Sequence, residues 1–402
     1  MSGMTSRFAS ERHAATPPAR PGEFGPLALG ALRVFPPVVL APMAGVTNYP
    51  FRSLAREFGA VLYVSEMITS RGYLLGNRLT RLLASSRPDE YPRSVQIYGT
   101  DPIDLGEMVR ALVDEGVEHI DMNFGCPVPK VTRTGGGSAV PYKPRLLARL
   151  VRAAVSGASA VPVTIKIRKG LDDATPTFLD AGRVAQEEGA AAIGLHARTA
   201  AQLYSGAADW DAIGELVTRV AIPVLGNGDV WECWDALELL RKTGCAGVIV
   251  GRGCLGRPWL FAEIAAVFEG REPAPPPSFG RIVAIMEDHA RRLMEFFGPE
   301  LGMRQMRKWC GWYTQGFPGS ARARAELVRV RTLEEMRAVL TRFDPELSFP
   351  RTALRIKRGK GSQCQVVALP EGYRAQRDDD TPPRSPHSEE ELLAFERALD
   401  GG

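Results

Sequence analysis

The chain has 402 residues, of which 45% are apolar, with a net charge of +4 and a pI near 8.7. That length suits one large domain plus a smaller one, and the apolar content lies far from the disordered range. No uncharged apolar stretch reaches the roughly eighteen residues of a membrane span, and the mild positive charge is compatible with an RNA ligand without establishing one.

Residues 1–25 are rich in Ser, Ala, Pro and Arg and carry no periodicity, which predicts a mobile extension. Arg7, Glu11, Arg12 and Arg20 interrupt this segment, and no apolar signal core follows. A cytoplasmic protein with no membrane contact is expected.

Residues 26–270 read as a (β/α)8 barrel. From about residue 36 to 251, short apolar runs alternate with longer amphipathic stretches. The runs lie at Val38–Ala41, Val61–Ser65, Ser94–Tyr98, His119–Asn123, Val163–Ile167, Ala192–His196, Ile222–Leu225 and Gly247–Val250. They show little polar alternation, as expected of parallel strands covered on both faces. Helix-length segments such as Asp101–Glu115, Arg145–Val155, Phe178–Glu188 and Trp231–Lys242 separate them. Eight such units match a TIM barrel. A doubly wound dinucleotide fold is disfavoured, because Pro42-Met43-Ala44-Gly45 after the first run lacks the G-x-G-x-x-G spacing.

Glu272-Pro273-Ala274-Pro275-Pro276-Pro277 reads as a stiff linker. Beyond it, Arg281–Phe297, Glu300–Tyr313 and Ala321–Arg342 predict three helices, a small C-terminal domain over 278–345. From 355 to 402 the chain is charged and poorly periodic, which predicts a flexible tail.

Functional residues of such barrels gather at the C-terminal ends of the strands. Gly226-Asn227-Gly228-Asp229 and Gly251-Arg252-Gly253 follow the last two runs, where barrels often hold phosphate. One glycine turn alone explains itself as a turn; two at these positions point to a phosphate-bearing ligand. Lys166 interrupts Val163–Ile167, so its ammonium must find a partner at the barrel mouth or snorkel out of it. Gln96, Lys166 and His196 together suit the rim of a planar heterocycle, although a lone His196 also fits a satisfied core histidine.

The six cysteines form no C-x-x-C pair, so neither a metal site nor a disulfide framework is expected. Cys126 stands apart in Asp121-Met122-Asn123-Phe124-Gly125-Cys126-Pro127, where Gly125 and Pro127 end the strand and hold the thiol on a bent loop. Gly135-Gly136-Gly137 follows, suggesting that this loop can move. A positioned acid and a structural thiol both remain open for Cys126.

The ordered set Ala41–Thr47, Val95–Gly99, Met122–Pro127, Ile165–Arg168, His196–Thr199, Gly226–Asp229 and Gly251-Arg252 resembles the tRNA-dihydrouridine synthases. Met306–Trp309, Gly311–Tyr313 and Gly316–Gly319 resemble the helical part of the bacterial B-type branch. The resemblance covers about residues 36–340, and Phe124 departs from the Met expected in many relatives.

The resemblance implies FMN as prosthetic group, NADPH as reductant and a uridine of tRNA as substrate. It implies that Pro42, Met43 and Ala44 line the flavin, that Gln96 and Lys166 bond its ring, and that His196, Asn227, Gly228, Asp229, Gly251 and Arg252 hold its phosphate end. Asn123 and Arg198 would place the uracil, and Cys126 would give a proton to C5 after hydride reaches C6. A thiol with an ordinary pKa of about 8.5 is protonated near neutral pH yet able to donate. The target base would have to leave its stack. Arg304, Arg307, Lys308, Arg322 and Arg324, with Lys130 and Arg133, would meet the tRNA backbone or form a solvated face. A monomer without a stable protein partner is expected. A flavin barrel acting on a free pyrimidine, and a tRNA-binding protein without activity, are the competing classes.

Overall fold

The computed structural model describes residues 8–359 and 363–383. A two-stranded hairpin, β1 (Leu27–Leu29) and β2 (Leu32–Val34), turns at Gly30 with φ 54°. Then come β3 (Val38–Leu40), β4 (Leu62–Tyr63), β5 (Met67–Thr69), β6 (Ser94–Tyr98), β7 (His119–Phe124), β8 (Val163–Arg168), β9 (Ala192–His196), β10 (Val224–Asn227) and β11 (Gly247–Val250). These nine strands form one parallel sheet in the order β4-β3-β11-β10-β9-β8-β7-β6-β5.

Its two edges, β4 and β5, are consecutive in the chain and separated only by Val64–Glu66. Val64 N–H donates to Leu40 O at 3.3 Å and Ser65 N–H to Ser94 O at 3.1 Å, so the ladder passes across the break. One barrel position is thus filled by a broken strand, and the expected (β/α)8 barrel closes.

Helices cover the outside, and several of their starts carry the side-chain caps expected of orphaned N–H groups. Asn48 accepts from Phe51 N–H before Tyr49–Glu57, and Asp101 accepts from Ile103 and Asp104 N–H before Pro102–Asp114. The hairpin plugs the bottom: Leu27, Leu29 and Val34 pack with Val39, Leu62, Leu225 and Ile249 inside the barrel.

The barrel interior corrects one expectation. Ser94 and Gln96, then His119, Asp121 and Asn123, then Thr164, Lys166 and Arg168 alternate along adjacent strands. Successive strand residues point to opposite faces, and these sets bond to one another between neighbouring strands inside the barrel. The upper interior is therefore a polar network and not an apolar filling.

The N-terminal segment, expected to be mobile, is packed over its described part, residues 8–25. Ser10 N–H and Oγ donate to Glu232, at 2.8 and 2.6 Å, and His13 Nε2 lies 2.9 Å from Asp235. Arg355 Nη1 adds contacts to both carboxylates at 2.8–3.0 Å. Glu232 and Asp235 are buried, so partners from both ends of the chain offset the cost of desolvating their charge. His13, Glu232 and Asp235 have the composition of a metal site, but Arg355 is the cation among them.

Beyond the proline-rich linker, Phe279–Phe297 and Pro299–Tyr313 pack as an antiparallel pair. The single helix expected over Ala321–Arg342 is two, Ser320–Leu327 and Leu333–Leu340. Thr332 causes the break by capping the second: its hydroxyl accepts from Glu335 N–H at 3.2 Å.

These helices share the barrel's core. Trp309 sits 4.5 Å, centroid to centroid, from both Phe51 of the barrel and His289. The tail expected to be flexible is likewise ordered over 355–359 and 363–383, where Tyr373 and Val367 are buried. Residues 1–7, 360–362 and 384–402, within the two expected flexible segments, lie outside the described residues.

Candidate active site

All the barrel strands run the same way, so the loops after β3, β6, β7, β8, β9, β10 and β11 meet at one mouth. Register sets the levels: Arg168 pairs with His196, and His196 with Asn227.

The Cys126 loop is braced from several sides. Asn123 Oδ1 accepts from Gly125 and Cys126 N–H, at 3.1 and 2.8 Å, which bends the chain directly after β7. Arg168 Nε donates to Gly125 O at 2.9 Å, and its Nη1 donates to Thr199 O and Leu203 O. Cys126 O accepts from Ser138 N–H at 3.0 Å. Gly137, at φ 54°, lies so close that a Cβ there would stand 2.5 Å from Cys126 O, so only glycine fits. Cys126 itself is half-buried, whereas Cys233, Cys245, Cys254 and Cys310 are buried and Cys364 is exposed.

Behind this loop runs a chain of hydrogen bonds. Asn123 Nδ2 donates to Gln96 Oε1 at 2.9 Å, and Gln96 Nε2 donates to Asp121 Oδ2 at 2.7 Å. Thr164 Oγ1 donates to Asp121 Oδ1 at 2.6 Å, so it accepts from His119 Nε2 at 3.0 Å. His119 Nδ1 is then left to accept from Ser94 Oγ at 2.7 Å. Burial lowers the His119 pKa to about 4, which keeps the ring neutral as this scheme requires. Burial raises the Asp121 carboxyl to about 6, with the Thr164 and Gln96 hydrogen bonds opposing it.

On the other side of the mouth, Lys166 Nζ donates to Asn227 Oδ1 at 3.0 Å, and Asn227 Nδ2 to Ile249 O at 2.8 Å. Burial, followed by the charge of Arg168, brings Lys166 down to about 8. His196 is held well below the usual imidazole range, first by burial and then by Arg168, Lys166, Arg198 and Arg252. Asp229 pairs with Arg198 at 2.8 Å and lies 3.9 Å from Arg252, and the positive charge left in excess around the neutral imidazole favours an anion. Arg252 stacks on Tyr204 at 4.3 Å and on Trp231 at 5.1 Å. Gly228 has φ 136°, and Asp229 after it is left-handed at φ 56°, which forms the tight turn where β10 ends.

Pro42 and Met43 are half-buried and Ala44 is exposed where β3 meets the mouth. Gly251 packs close to Ala41 Cβ and Met43 Sδ, at 3.8 and 3.9 Å from where its own Cβ would stand.

Arg198, Asp229 and Asn123, expected to contact a ligand, are used inside the protein, and Gln96 and Asn227 also have both ends of their amides bonded to protein atoms. Arg198, expected to place a uracil, is fully buried and donates to Ser205 O, Gly206 O and both oxygens of Asp229 at 2.8–2.9 Å. Asp229, expected at the phosphate end of a flavin, accepts these bonds and one from Ala208 N–H at 2.7 Å. Asn123 uses both ends of its amide on Gln96 and the Cys126 loop. Buried polar groups must be paired, and in this structure protein atoms supply the partners.

Tyr204, Asp121 and Arg168 belong to the site without having been assigned a role in it. The i, i+2, i+4 spacing of His119, Asp121 and Asn123 was the available signal for Asp121, and Arg168 stands two residues beyond Lys166 on the same face. Tyr204 lies in a loop and carried no signal.

Residues 39–347 match the family described as Dihydrouridine synthase (Dus). The chain belongs to the dihydrouridine synthase family. It is therefore an enzyme of the oxidoreductase class, and the barrel-mouth residues above lie within the matched region. The chain is 47% identical over 375 residues to "Probable tRNA-dihydrouridine synthase" of Mycobacterium leprae, covering 86% of this chain and 97% of that one. It is 48% identical over 364 residues to the protein of that name from Mycobacterium tuberculosis, covering 88% and 93%. It is 38% identical over 324 residues to "tRNA-dihydrouridine synthase B" of Pseudomonas putida, covering 81% and 95%. The match to the family model ends at residue 347, before the ordered segments at 355–359 and 363–383.

Proposed function

We propose that this synthase uses FMN and NADPH to reduce uridine in tRNA to 5,6-dihydrouridine, with Cys126 as the proton donor. The observation that carries the reading is the half-buried Cys126 thiol on a braced loop, at the same mouth as the cation cluster around His196.

The donor set fits a phosphate-bearing flavin. Lys166, Arg168, Arg198 and Arg252 bear on His196, and Arg198 Nη1 has no hydrogen-bond partner among the described residues. The Pro42–Ala44 backbone and Gly251 would line the ring side. Gln96 and Lys166 would face the ring edge, while His196, Asn227, Gly228, Gly251 and Arg252 would hold the phosphate end. Asp229 and Arg198 shape that loop through each other, and Asn123 places the thiol. When bound there, the reduced flavin supplies hydride to C6 of the uracil. Cys126 Sγ–H gives its proton to C5, and the thiolate regains a proton from solvent. NADPH is the two-electron reductant consumed, so one NADPH and one proton enter per uridine.

The test is to purify the protein, identify the released cofactor by mass, and follow reoxidation of the NADPH-reduced protein by unmodified tRNA. Noncovalent FMN and reoxidation by tRNA are expected. A protein that takes up no FMN, or that reoxidises with free uridine as well as with tRNA, would sink the reading.

The pKa of Lys166 adds a pH dependence. A lysine lowered to about 8 keeps its proton below that pH and loses it above. Bonds that need the ammonium are therefore complete at pH 6–7, and FMN affinity should fall by up to tenfold per pH unit above about 8. Titration of flavin-stripped protein with FMN from pH 6.5 to 9.5 checks this, and flat affinity would remove Lys166 from the flavin contacts.

Among the basic residues expected to meet tRNA, Arg307 Nε is used on Val330 O at 2.9 Å, and Lys308 Nζ donates to Gly45 O and Gln305. Arg304, Arg322, Arg324, Lys130 and Arg133 are exposed. Reversing Arg304, Arg322 or Arg324 to Glu should weaken tRNA binding and lower the slope of log affinity against log salt by about 1 for each phosphate that the variant no longer neutralises. An unchanged slope in all three variants would place the tRNA elsewhere.

A further inference from the structure

We propose that residues 363–383 form a strap that seats the Cys126 loop over the barrel mouth, with Gln365 as a positioning residue for the thiol. The proposal rests on the reading of Cys126 as proton donor.

Gln365 stands next to the residue that follows the thiol in sequence. Its Nε2 donates to Pro127 O at 2.7 Å and to Ala200 O at 3.1 Å, while its backbone N–H donates to Ala201 O at 2.9 Å. One side-chain amide thus ties the loop after β7 to the loop after β9.

The rest of the strap packs on the loops after β7, β8 and β9. Val367 is buried against Leu171 and Ala200, in a small apolar cluster separate from the main core. Tyr373 is buried, and its hydroxyl donates to Ala139 O at 3.1 Å. Its ring lies 4.7 Å from Lys143 Nζ, which donates to Asp379 at 2.9 Å. Pro383 and Tyr373 close over Gly135, where an added Cβ would stand 2.6 Å from Pro383 Cγ.

The held loop carries three consecutive glycines, Gly135–Gly137, whose backbone freedom is greatest when nothing packs on it. A general acid must stand within hydrogen-bond reach of the atom it protonates, and an error near 1 Å costs about a hundredfold. The strap supplies the external contacts that remove this freedom, and it lies beyond residues 39–347, the span matched by the family model.

The experiment compares full-length FMN-loaded protein with Gln365→Met, which keeps the length and removes the donor, and with a chain ending at Gly359. Two measurements are made: hydrogen exchange over 126–142 together with the rate of Cys126 alkylation by iodoacetamide, read on the Cys126 peptide, and reoxidation of reduced protein by tRNA. Expected are faster exchange and alkylation in both variants, and a 10- to 100-fold slower reoxidation with unchanged reduction by NADPH. The proposal is overturned if exchange and alkylation match wild type in both variants, or if the shortened chain reoxidises faster, which would make the segment an obstruction. If Cys126→Ala reoxidises like wild type, the reading of Cys126 fails. Exchange and alkylation in the strap variants still report separately whether the loop is seated.

Discussion

Cys126→Ala should bind FMN and be reduced by NADPH at wild-type rates, yet reoxidise with tRNA more slowly by roughly 10²–10⁴-fold, the usual loss on removing a general acid. The thiol stands on a loop whose bend is set by Asn123 Oδ1 and whose backbone is held by Arg168 and Gly137, so the smaller side chain leaves those bonds in place. Lys166, His196, Asn227 and Arg252 lie on other strand ends and keep their own partners. Stopped-flow absorbance separates the two half-reactions. Reoxidation at the wild-type rate would show that the proton comes from another group. Loss of NADPH reduction would show that Cys126 shapes the flavin site. Replacing Cys233, Cys245, Cys254 or Cys310 should leave both rates unchanged, since all four thiols are buried away from solvent.

Trp309→Ala should destabilise the whole chain by about 3–5 kcal/mol, the range for emptying a packed aromatic site. Trp309 is fully buried and meets Phe51 and His289 at 4.5 Å and Trp312 at 4.9 Å, so the cavity opens on the barrel itself. Arg292 adds contacts to Ser53 and Glu57 across the same junction. Denaturant unfolding followed by flavin release and by far-UV signal should give one transition, displaced together in both probes. Two transitions, with the flavin-linked one unmoved, would make the helices an independent domain. A chain cut at residue 278 strips His289 and Trp309 from Phe51, so a folded barrel is not expected from that truncation.

The barrel was legible because its evidence is local. Strands such as Val163–Arg168 are short apolar runs at regular spacing, and some helix starts carry their own caps, as at Asn48 and Asp101. The glycine turns after β10 and β11 and the bent setting of Cys126 were equally local, because backbone freedom at Gly228 and a proline after the thiol are properties of adjacent residues. Polar alternation was also present in His119-Ile120-Asp121-Met122-Asn123. The expectation of strands covered on both faces by apolar groups hid it.

Only the tertiary structure decided the partners of these side chains. His13 reaches Asp235 across 222 residues and Gln365 reaches Pro127 across 238, by single polar contacts that impose no period on the sequence around them. Both ends of the chain therefore read as mobile, although residues 8–25 and 363–383 are packed. Arg198 and Asp229 are set apart by 31 residues, and nothing in either neighbourhood showed that they would meet each other before a ligand. The sequence by itself determined the barrel, the end of it where the glycine turns and cationic side chains gather, and the thiol that stands there, through periodicity, backbone restriction and strand direction. Which charges are free to hold a ligand, and what holds the thiol's loop in place, were decided by burial: a desolvated charge or amide must be paired, and its partner depends on the whole fold.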